Sequence, residues 1–257
     1  VKRQRQKEMK SFNRYITEEL STKEISVDEF PNPLRGRIKD IFKKKGELDG
    51  EEGDDVVKTR QRSFPAKSLK PSQSAIFLGK ALGMAVGGVK GGNLGSIVSK
   101  DGHILDGHHR YAATLFADPN AKIIGIEADL GIGDLVPVLR ALGDAYGNKR
   151  RGEPAGGDLN IYDATIDDAL AAIYSGTNMN PKFYSREKAE GWLESIGGEK
   201  ELEKRLKLIQ SKRPPAGAPP RDNMPVIDAD SGEHKDAASR LQQGQLDVRP
   251  PYAKVKR

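Results

Sequence analysis

Apolar residues in the first half of the chain recur at helix and strand spacings. A stripe through Ile76, Phe77, the stem of Lys80, Ala81 and Met84 has the three- and four-residue spacing of a helix. Asp101-Gly102, set between two apolar runs, is typical of a hairpin turn. The pattern predicts, in chain order, a strand at 65–69, a helix at 73–86, strands at 96–99 and 103–105, a helix at 107–116 and a strand at 122–129.

The second half of the chain has mostly helical periodicity. Asp163 or Thr165 is expected to cap one helix, with Asp168 in its first turn. The expected fold class is α+β, a small mixed sheet with helices followed by an α-helical region. The predicted elements are helices at 133–146, 166–174, 186–196 and 199–210, a short strand at 226–227 and a helix near 235–242.

Composition divides the chain into regions. Residues 1–20 have the pattern of a basic amphipathic helix, and residues 26–55 hold a lysine run and an acidic cluster typical of a linker. The Pro-rich run at 213–225 is typical of a spacer. We expect a basic N-terminal arm and linker at 1–60, a compact α+β domain at 61–130, a helical region at 131–212, and a Pro-rich linker with a basic C-terminal tail at 213–257.

Positive charge is concentrated at the two ends. The chain has 257 residues, 43 Lys and Arg against 37 Asp and Glu, and a formal net charge of +6. The first ten and the last ten residues each carry +4, so the other 237 sum to −2. Such tails favour nucleic acid or an acidic partner surface, or serve only to aid solubility. The candidate nucleic-acid contacts are Lys2, Arg3, Arg5, Lys254, Lys256 and Arg257.

Several protein classes are excluded by composition. The chain has no cysteine, which rules out disulfide scaffolds, thiolate zinc sites, iron–sulfur clusters and a cysteine nucleophile. The longest apolar stretch, at 75–89, is shorter than the roughly 20 residues of a membrane span. The basic N-terminus has no apolar run of a signal peptide behind it. We therefore expect a cytoplasmic protein, or a virion protein if the chain is phage-encoded; the start at Val1 is compatible with processing or with a longer parent.

The candidate chemistry is concentrated in one short segment. His103, His108 and His109, three of the four histidines, lie where a predicted strand ends and a helix begins. The first N–H groups of a helix lack intrahelical acceptors, and the helix dipole is positive there. Gly107 allows a ligand to approach the backbone closely, and Arg110 adds positive charge. The junction is typical of a phosphate or carboxylate site.

Asp106, immediately before that helix, has three candidate roles. It is expected to cap the helix, to bind Mg²⁺ together with a phosphate, or to act as a base. Two lysines of the glycine-rich stretch upstream, Lys80 and Lys90, are also able to reach a bound phosphate.

Two other interpretations compete with a phosphate site. A buried helical stripe would make one histidine a hydrogen-bonded core residue, and its spacing is shared by His109, Ala112, Ala113 and Phe116. A metal site is disfavoured, because adjacent residues project about 100° apart on a helix and two imidazoles on one ion need an i, i+4 spacing. Its candidate ligands would be His103, Asp106, His108 and His109.

The same residues carry a family resemblance. Asp-Gly-His-His-Arg-Tyr-Ala-Ala, at 106–113, resembles the signature of the ParB/sulfiredoxin-like superfamily. The corresponding element is Gly-Glu-Arg-Arg in the ParB branch, Gly-Cys-His-Arg in sulfiredoxin and Asp-Gly-His-x-Arg in the ADP-dependent serine kinases. The upstream order is similar too: Leu69-Lys70-Pro71 ends a first strand, and a helix and a strand pair lead into the motif. The resemblance covers 64–129, about a quarter of the chain.

The resemblance implies a ParB/sulfiredoxin-like fold whose helix start holds nucleotide phosphates. Gly107 and the amides after it would contact the phosphates, His109 and Arg110 would add side-chain contacts, and Tyr111 would lie near them. The implied cofactor is a nucleoside triphosphate or diphosphate with Mg²⁺. Sulfiredoxin chemistry is excluded, because it needs a cysteine at the position of His108.

The function we expect is nucleotide-phosphate binding that acts with DNA or a nucleoprotein assembly of the plasmid, phage or segregation type. Nucleotide hydrolysis, DNA cleavage and self-association are left open. In a hydrolytic reaction Asp106 and His108 would hold Mg²⁺ or orient water, and His109 with Arg110 would neutralise phosphate charge.

Two alternative functions come from different classes. One is a small-molecule kinase of the ADP-dependent serine kinase type with Asp106 as its base, although residues 63–100 contain no Asp or Glu. The other is a non-catalytic phage virion or DNA-packaging protein, which the long non-globular ends suggest.

Overall fold

The computed structural model describes residues 25–26, 57–145, 148, 158–227, 235, 237–239 and 246–247. The predicted helix at 1–20 and both basic tails lie outside the described residues, as does nearly all of the predicted linker at 26–55. The described part is mixed α+β, as the sequence predicts.

The strands form two sheets. Ile25–Ser26 (β1) and Leu246–Asp247 (β7) make a two-residue parallel pair. The main sheet has five strands in the order β2-β6-β4-β5-β3, with β4 parallel to β6, β3 parallel to β5 and the other neighbours antiparallel. Those strands are Thr59–Pro65 (β2), Lys70–Pro71 (β3), Gly92–Ser99 (β4), His103–Ile104 (β5) and Lys122–Ala128 (β6).

Bounds are given for six α-helices among the described residues, and they agree with the predicted ones within one residue at each end, except for the start of the first helix. Thr165 caps the fourth: its hydroxyl accepts from the Asp168 N–H at 3.2 Å, while the Asp168 carboxylate accepts from the Thr165 N–H at 2.8 Å. The prediction of a Thr165 cap is therefore confirmed. The helices are Leu78–Val86 (α1), His108–Ala117 (α2), Ile132–Ala145 (α3), Ile166–Ser175 (α4), Arg186–Ser195 (α5) and Glu199–Gln210 (α6).

Hydrophobic cores lie on both faces of the main sheet. Neighbouring residues of β4 point to opposite faces, so Ile97 and Val98 are buried in different cores. One core joins the sheet to α1, α2, α4, α5 and α6, and the other joins it to α3 and to Ile227. The helical region at 131–212, predicted as a separate region, therefore packs on both faces of the sheet.

Arg205 of α6 connects that helical region to the end of α2. Its guanidinium donates to the carbonyls of Phe116 and Ala117, both at 2.7 Å, and to that of Ile196 at 3.2 Å. A cation at a helix C-terminus satisfies carbonyls that have no partner within the helix and complements the dipole. Arg205 thereby holds α2 from its far end.

Helix α1 begins at Leu78, five residues later than the sequence predicts. Residues 72–77 before it are not helical, because backbone N–H groups of this segment donate to side chains from elsewhere in the fold. Ser72 N–H donates to His108 Nε2 at 3.1 Å, and Phe77 N–H donates to His109 Nε2 at 3.1 Å. These tertiary contacts compete with the helical hydrogen bonds that local periodicity suggests.

The prediction of a Pro-rich spacer is wrong for residues 213–227, because this segment packs on the folded part of the chain. The Ser74 N–H donates to the Pro219 carbonyl at 3.0 Å, and Arg140 of α3 donates to the Asn223 carbonyl. Met224 and Ile227 are buried. The predicted strand at 226–227 is absent from the described residues, and the segment instead runs back across the end of α3 beside the start of α2.

Candidate functional site

The start of α2 is formed by a left-handed turn. Gly107 is the N-cap residue, with φ 88°, and has no side chain to cap the helix. The prediction that Asp106 caps α2 is therefore wrong. The Asp106 carboxylate instead accepts from Arg110 Nη2 at 2.9 Å, one helical turn along. Both side chains are about one-third exposed, so the ion pair is partly accessible to a ligand.

Two buried polar atoms beside Gly107 have no hydrogen-bond partner in the described protein. They are Ser96 Oγ and Arg110 Nε. A Cβ on Gly107 would lie 3.0 Å from the first and 3.2 Å from the second. Buried polar groups normally have hydrogen-bond partners. Two neighbouring buried atoms without one therefore mark a place where a ligand or water is expected.

His108 lies in the core. It is 4% exposed, its Nε2 accepts from the Ser72 N–H, and burial lowers the pKa of its ring to about 3. The ring is therefore neutral at physiological pH, and the nitrogen that accepts from Ser72 has no lone pair left for a metal ion. The prediction that the His108 side chain is catalytic or contacts a phosphate is therefore wrong.

His109 is the core histidine that the stripe spacing suggests, yet it also borders the cleft described below. Its Nε2 accepts from the Phe77 N–H, and its ring stacks on the Phe77 ring with centroids 5.6 Å apart. Because Nε2 is an acceptor, only Nδ1 is able to donate. The main contacts of the His109 side chain are therefore with Phe77, the residue that precedes α1.

Tyr111 does not reach the phosphate position. It is fully buried, and its hydroxyl donates to the Leu69 carbonyl at 3.0 Å. Burial also raises the pKa of this phenol well above its usual range. The expectation that Tyr111 lies beside a bound phosphate is wrong, because helix periodicity turns its side chain into the sheet.

A cleft of about 120 Å³ opens at this helix start. Three cationic side chains border it, Lys80 from α1, Arg110 from α2 and Arg221 from the returning Pro-rich segment. Asp106 is the single carboxylate that borders it among the described residues. The cationic excess favours an anionic ligand. The remaining walls come from Gln73, Met84, Leu105, Gly107, His108, His109 and residues 224–227.

Arg221 is the site residue that sequence reasoning missed. Its guanidinium carbon lies 5.5 Å from the centre of the Phe77 ring, a cation–π distance. His109 stacks on the same ring. The Pro-rich composition around Arg221 suggested a spacer, and no local signal indicates that the segment returns to the cleft.

The start of α1 differs from that of α2 because a carboxylate already occupies it. Asp158 accepts from the N–H groups of Gly79 at 3.0 Å and Lys80 at 3.1 Å. Burial raises the pKa of Asp158, although these backbone hydrogen bonds oppose the shift. The protein therefore fills the anion position of α1 with its own side chain.

The donor set around Asp106 fits a phosphate-chelated ion better than one held by protein alone. No group of three or more His, Asp and Glu side chains is close enough to hold a metal ion among the described residues. Mg²⁺ commonly takes one or two carboxylates plus substrate phosphates. Asp106 would supply one such carboxylate, and its partner Arg110 would have to turn toward the phosphate.

The candidate nucleic-acid residues Lys2, Arg3, Arg5, Lys254, Lys256 and Arg257 lie outside the described residues. Within the part of the chain that the structure describes, no helix is both long and apolar enough to cross a membrane. Comparison with protein-family models, with curated proteins and with solved structures finds no match.

Replacing Gly107 by alanine tests the geometry of this turn. Gly102 is a matched control, because its φ of 81° is similar but open space surrounds it. We expect Gly102→Ala to lower the free energy of unfolding by about 1 kcal/mol through backbone strain. Gly107→Ala should lower it further, since the new methyl group meets Ser96 Oγ and the Arg110 guanidinium. Urea unfolding measures both, and equal losses would contradict the crowded geometry.

Proposed function

We propose that this protein binds nucleotide phosphates at the start of α2. The observation that carries the proposal is the cleft in which Lys80, Arg110 and Arg221 surround a left-handed glycine turn. A helix N-terminus offers N–H groups and a positive dipole to an anion. The side chains add fixed positive charge from three separate elements.

Arg110 is the side chain best suited to contact a phosphate. It is held at the cleft by the Asp106 carboxylate, and its buried Nε has no hydrogen-bond partner in the described protein. A guanidinium presents two parallel donors to phosphate oxygens. A bound phosphate would therefore satisfy a donor that the protein itself leaves unpaired.

The ParB/sulfiredoxin-like resemblance supports the same proposal. The order that the resemblance implies is a strand, a helix, a strand pair and a helix that begins at the motif, and the chain has β3, α1, β4, β5 and α2 in that order. On this basis we propose a ParB-like nucleotide-binding domain with Mg²⁺ bound through the nucleotide phosphates and Asp106. In the basic tails we propose contacts to DNA or a nucleoprotein assembly, as in plasmid, phage or segregation proteins.

Asp106 also keeps a catalytic function open. It is the carboxylate that borders the cleft, so it is the candidate base for the alternative of a small-molecule kinase, and the candidate Mg²⁺ ligand for an NTPase or nuclease. Phosphate transfer to an added alcohol distinguishes the kinase from the hydrolase. A virion or DNA-packaging protein would bind through its ends and show neither reaction.

The binding proposal predicts ligand-dependent stability. A nucleoside triphosphate with Mg²⁺, at about 100 times its Kd, should raise the Tm by about 5 °C or more. Arg110→Ala and Arg221→Ala should each remove most of that increase, because each deletes a cation of the cleft. Lys188→Ala is the control, since Lys188 is exposed on α5 and does not border the cleft.

Thermal melting of the full chain with each of the four ribonucleoside triphosphates measures these shifts. If no triphosphate changes the Tm of the wild-type protein, the proposal fails. It also fails if Lys188→Ala abolishes the shift as fully as Arg110→Ala does.

The nucleic-acid proposal is independent of the cleft. Removing residues 1–10 and 248–257 should weaken binding to duplex DNA and reduce its dependence on salt, because eight net positive charges are lost. The nucleotide-induced Tm shift should persist in the truncated chain. Fluorescence anisotropy at two salt concentrations is the measurement, and unchanged DNA affinity after truncation would rule out a role for the tails.

A further inference from the structure

A second, larger cavity adjoins the cationic cleft. Its volume is about 560 Å³, and it lies between α1 and the loop that follows α4. Lys80, Met84 and Arg110 border both spaces. One ligand is therefore able to occupy the two together, with an anionic part in the cleft and the rest in the cavity.

The walls of this cavity differ from those of the cleft. Most of its exposed lining is apolar, from Met84, Val89, Met179 and Phe183. The cations Lys80 and Arg110 lie where the cavity meets the cleft. An apolar space with charge at one end fits a ligand that has an apolar body and an anionic terminus.

Three glycines let the loop at 177–183 lie close to α1: Gly79 and Gly83 within the helix and Gly87 at its C-terminal end. They are spaced four residues apart, so they lie on one face of the helix. A Cβ on Gly83 would come within 3.1 Å of the Met179 side chain, and one on Gly87 within 3.3 Å of Phe183 Cβ. At Gly79 a Cβ would lie 2.7 Å from the Thr177 carbonyl oxygen. The loop is therefore a wall fixed against α1.

Asn178 and Asn180 of that loop also border the cavity, and both carry amide side chains. Asn178 also has φ 62°, and it is the one non-glycine residue with a left-handed backbone in the described part of the chain. Left-handed residues of this kind recur at ligand-contacting loops.

We propose that this cavity binds the nucleobase of the nucleotide whose phosphates lie in the cleft. This inference rests on the proposed function, which places the phosphates of a nucleotide in the cleft, and it assigns a position to the base of the same nucleotide. Bases stack on aromatic and apolar side chains, and their edges hydrogen-bond to amide groups. Phe183 is the stacking candidate, because it borders the cavity and is 53% exposed.

A comparison of nucleotide with inorganic tripolyphosphate separates the base from the phosphates. Isothermal titration of the full chain, with Mg²⁺ present, gives the affinity of each of the four ribonucleoside triphosphates and of tripolyphosphate. The variant is Phe183→Ala, which removes a half-exposed ring. The control is Tyr174→Ala, because Tyr174 is an exposed aromatic on α4 that borders neither space.

We expect at least one nucleoside triphosphate to bind about tenfold or more tightly than tripolyphosphate. Phe183→Ala should weaken binding of that nucleotide by about five- to fiftyfold and leave the tripolyphosphate affinity unchanged. Tyr174→Ala should change neither affinity. Equal melting temperatures of the two ligand-free variants and the wild type would show that folding is intact.

The remaining outcomes overturn the inference in distinguishable ways. If nucleotides and tripolyphosphate bind equally well and Phe183→Ala affects neither, the cavity is not a base site, but the phosphate site stands. If Phe183→Ala weakens both ligands alike, its effect is on the phosphate site, and the base assignment also fails. If neither ligand binds the wild-type protein, the proposed function fails together with the inference.

Discussion

The left-handed turn at Gly107 is the constraint on which the cleft depends. With φ 88°, the backbone leaves β5 and enters α2 without a side chain over the helix start. Asp106 and Arg110 then pair on one side of the turn at 2.9 Å, and the buried Ser96 hydroxyl approaches from β4. Any side chain at position 107 would enter the space that these groups share. A glycine here keeps the helix start open to a ligand.

The adjacent histidines connect that turn to the rest of the site. Each uses Nε2 to accept a backbone N–H, His108 from Ser72 and His109 from Phe77. The two hydrogen bonds fix residues 72–77 before α1, and so fix where Lys80 meets the cleft. The Phe77 ring contacts both His109 and Arg221, and so it connects the Pro-rich segment to the start of α2. The histidines are therefore positioning residues, and the charge of the cleft comes from lysine and arginine.

Local features of the fold could be predicted from the sequence, and long-range ones could not. The helix at 199–210 and the Thr165 cap depend on neighbours within a few residues, so periodicity and capping chemistry identify them. One anchor of the Pro-rich segment is the hydrogen bond from Arg140 to the Asn223 carbonyl, between residues that are 83 apart in the sequence. The acceptor role of His108 likewise depends on Ser72, 36 residues earlier. The cluster of histidines and an arginine in the sequence predicts where the site lies. Only tertiary contacts show that His108 belongs to the core and that Arg110 borders the cleft.

An amide chemical-shift titration tests most directly whether the start of α2 and the Pro-rich return form one anion site. The full chain, labelled with ¹⁵N, is titrated with each ribonucleoside triphosphate and Mg²⁺. We expect at least one of them to shift the amides of Gly107 to Arg110 together with those of Arg221 to Asn223, at a common Kd. A titration in which no triphosphate moves the Gly107–Arg110 amides, or in which they move without those at 221–223, would contradict this account.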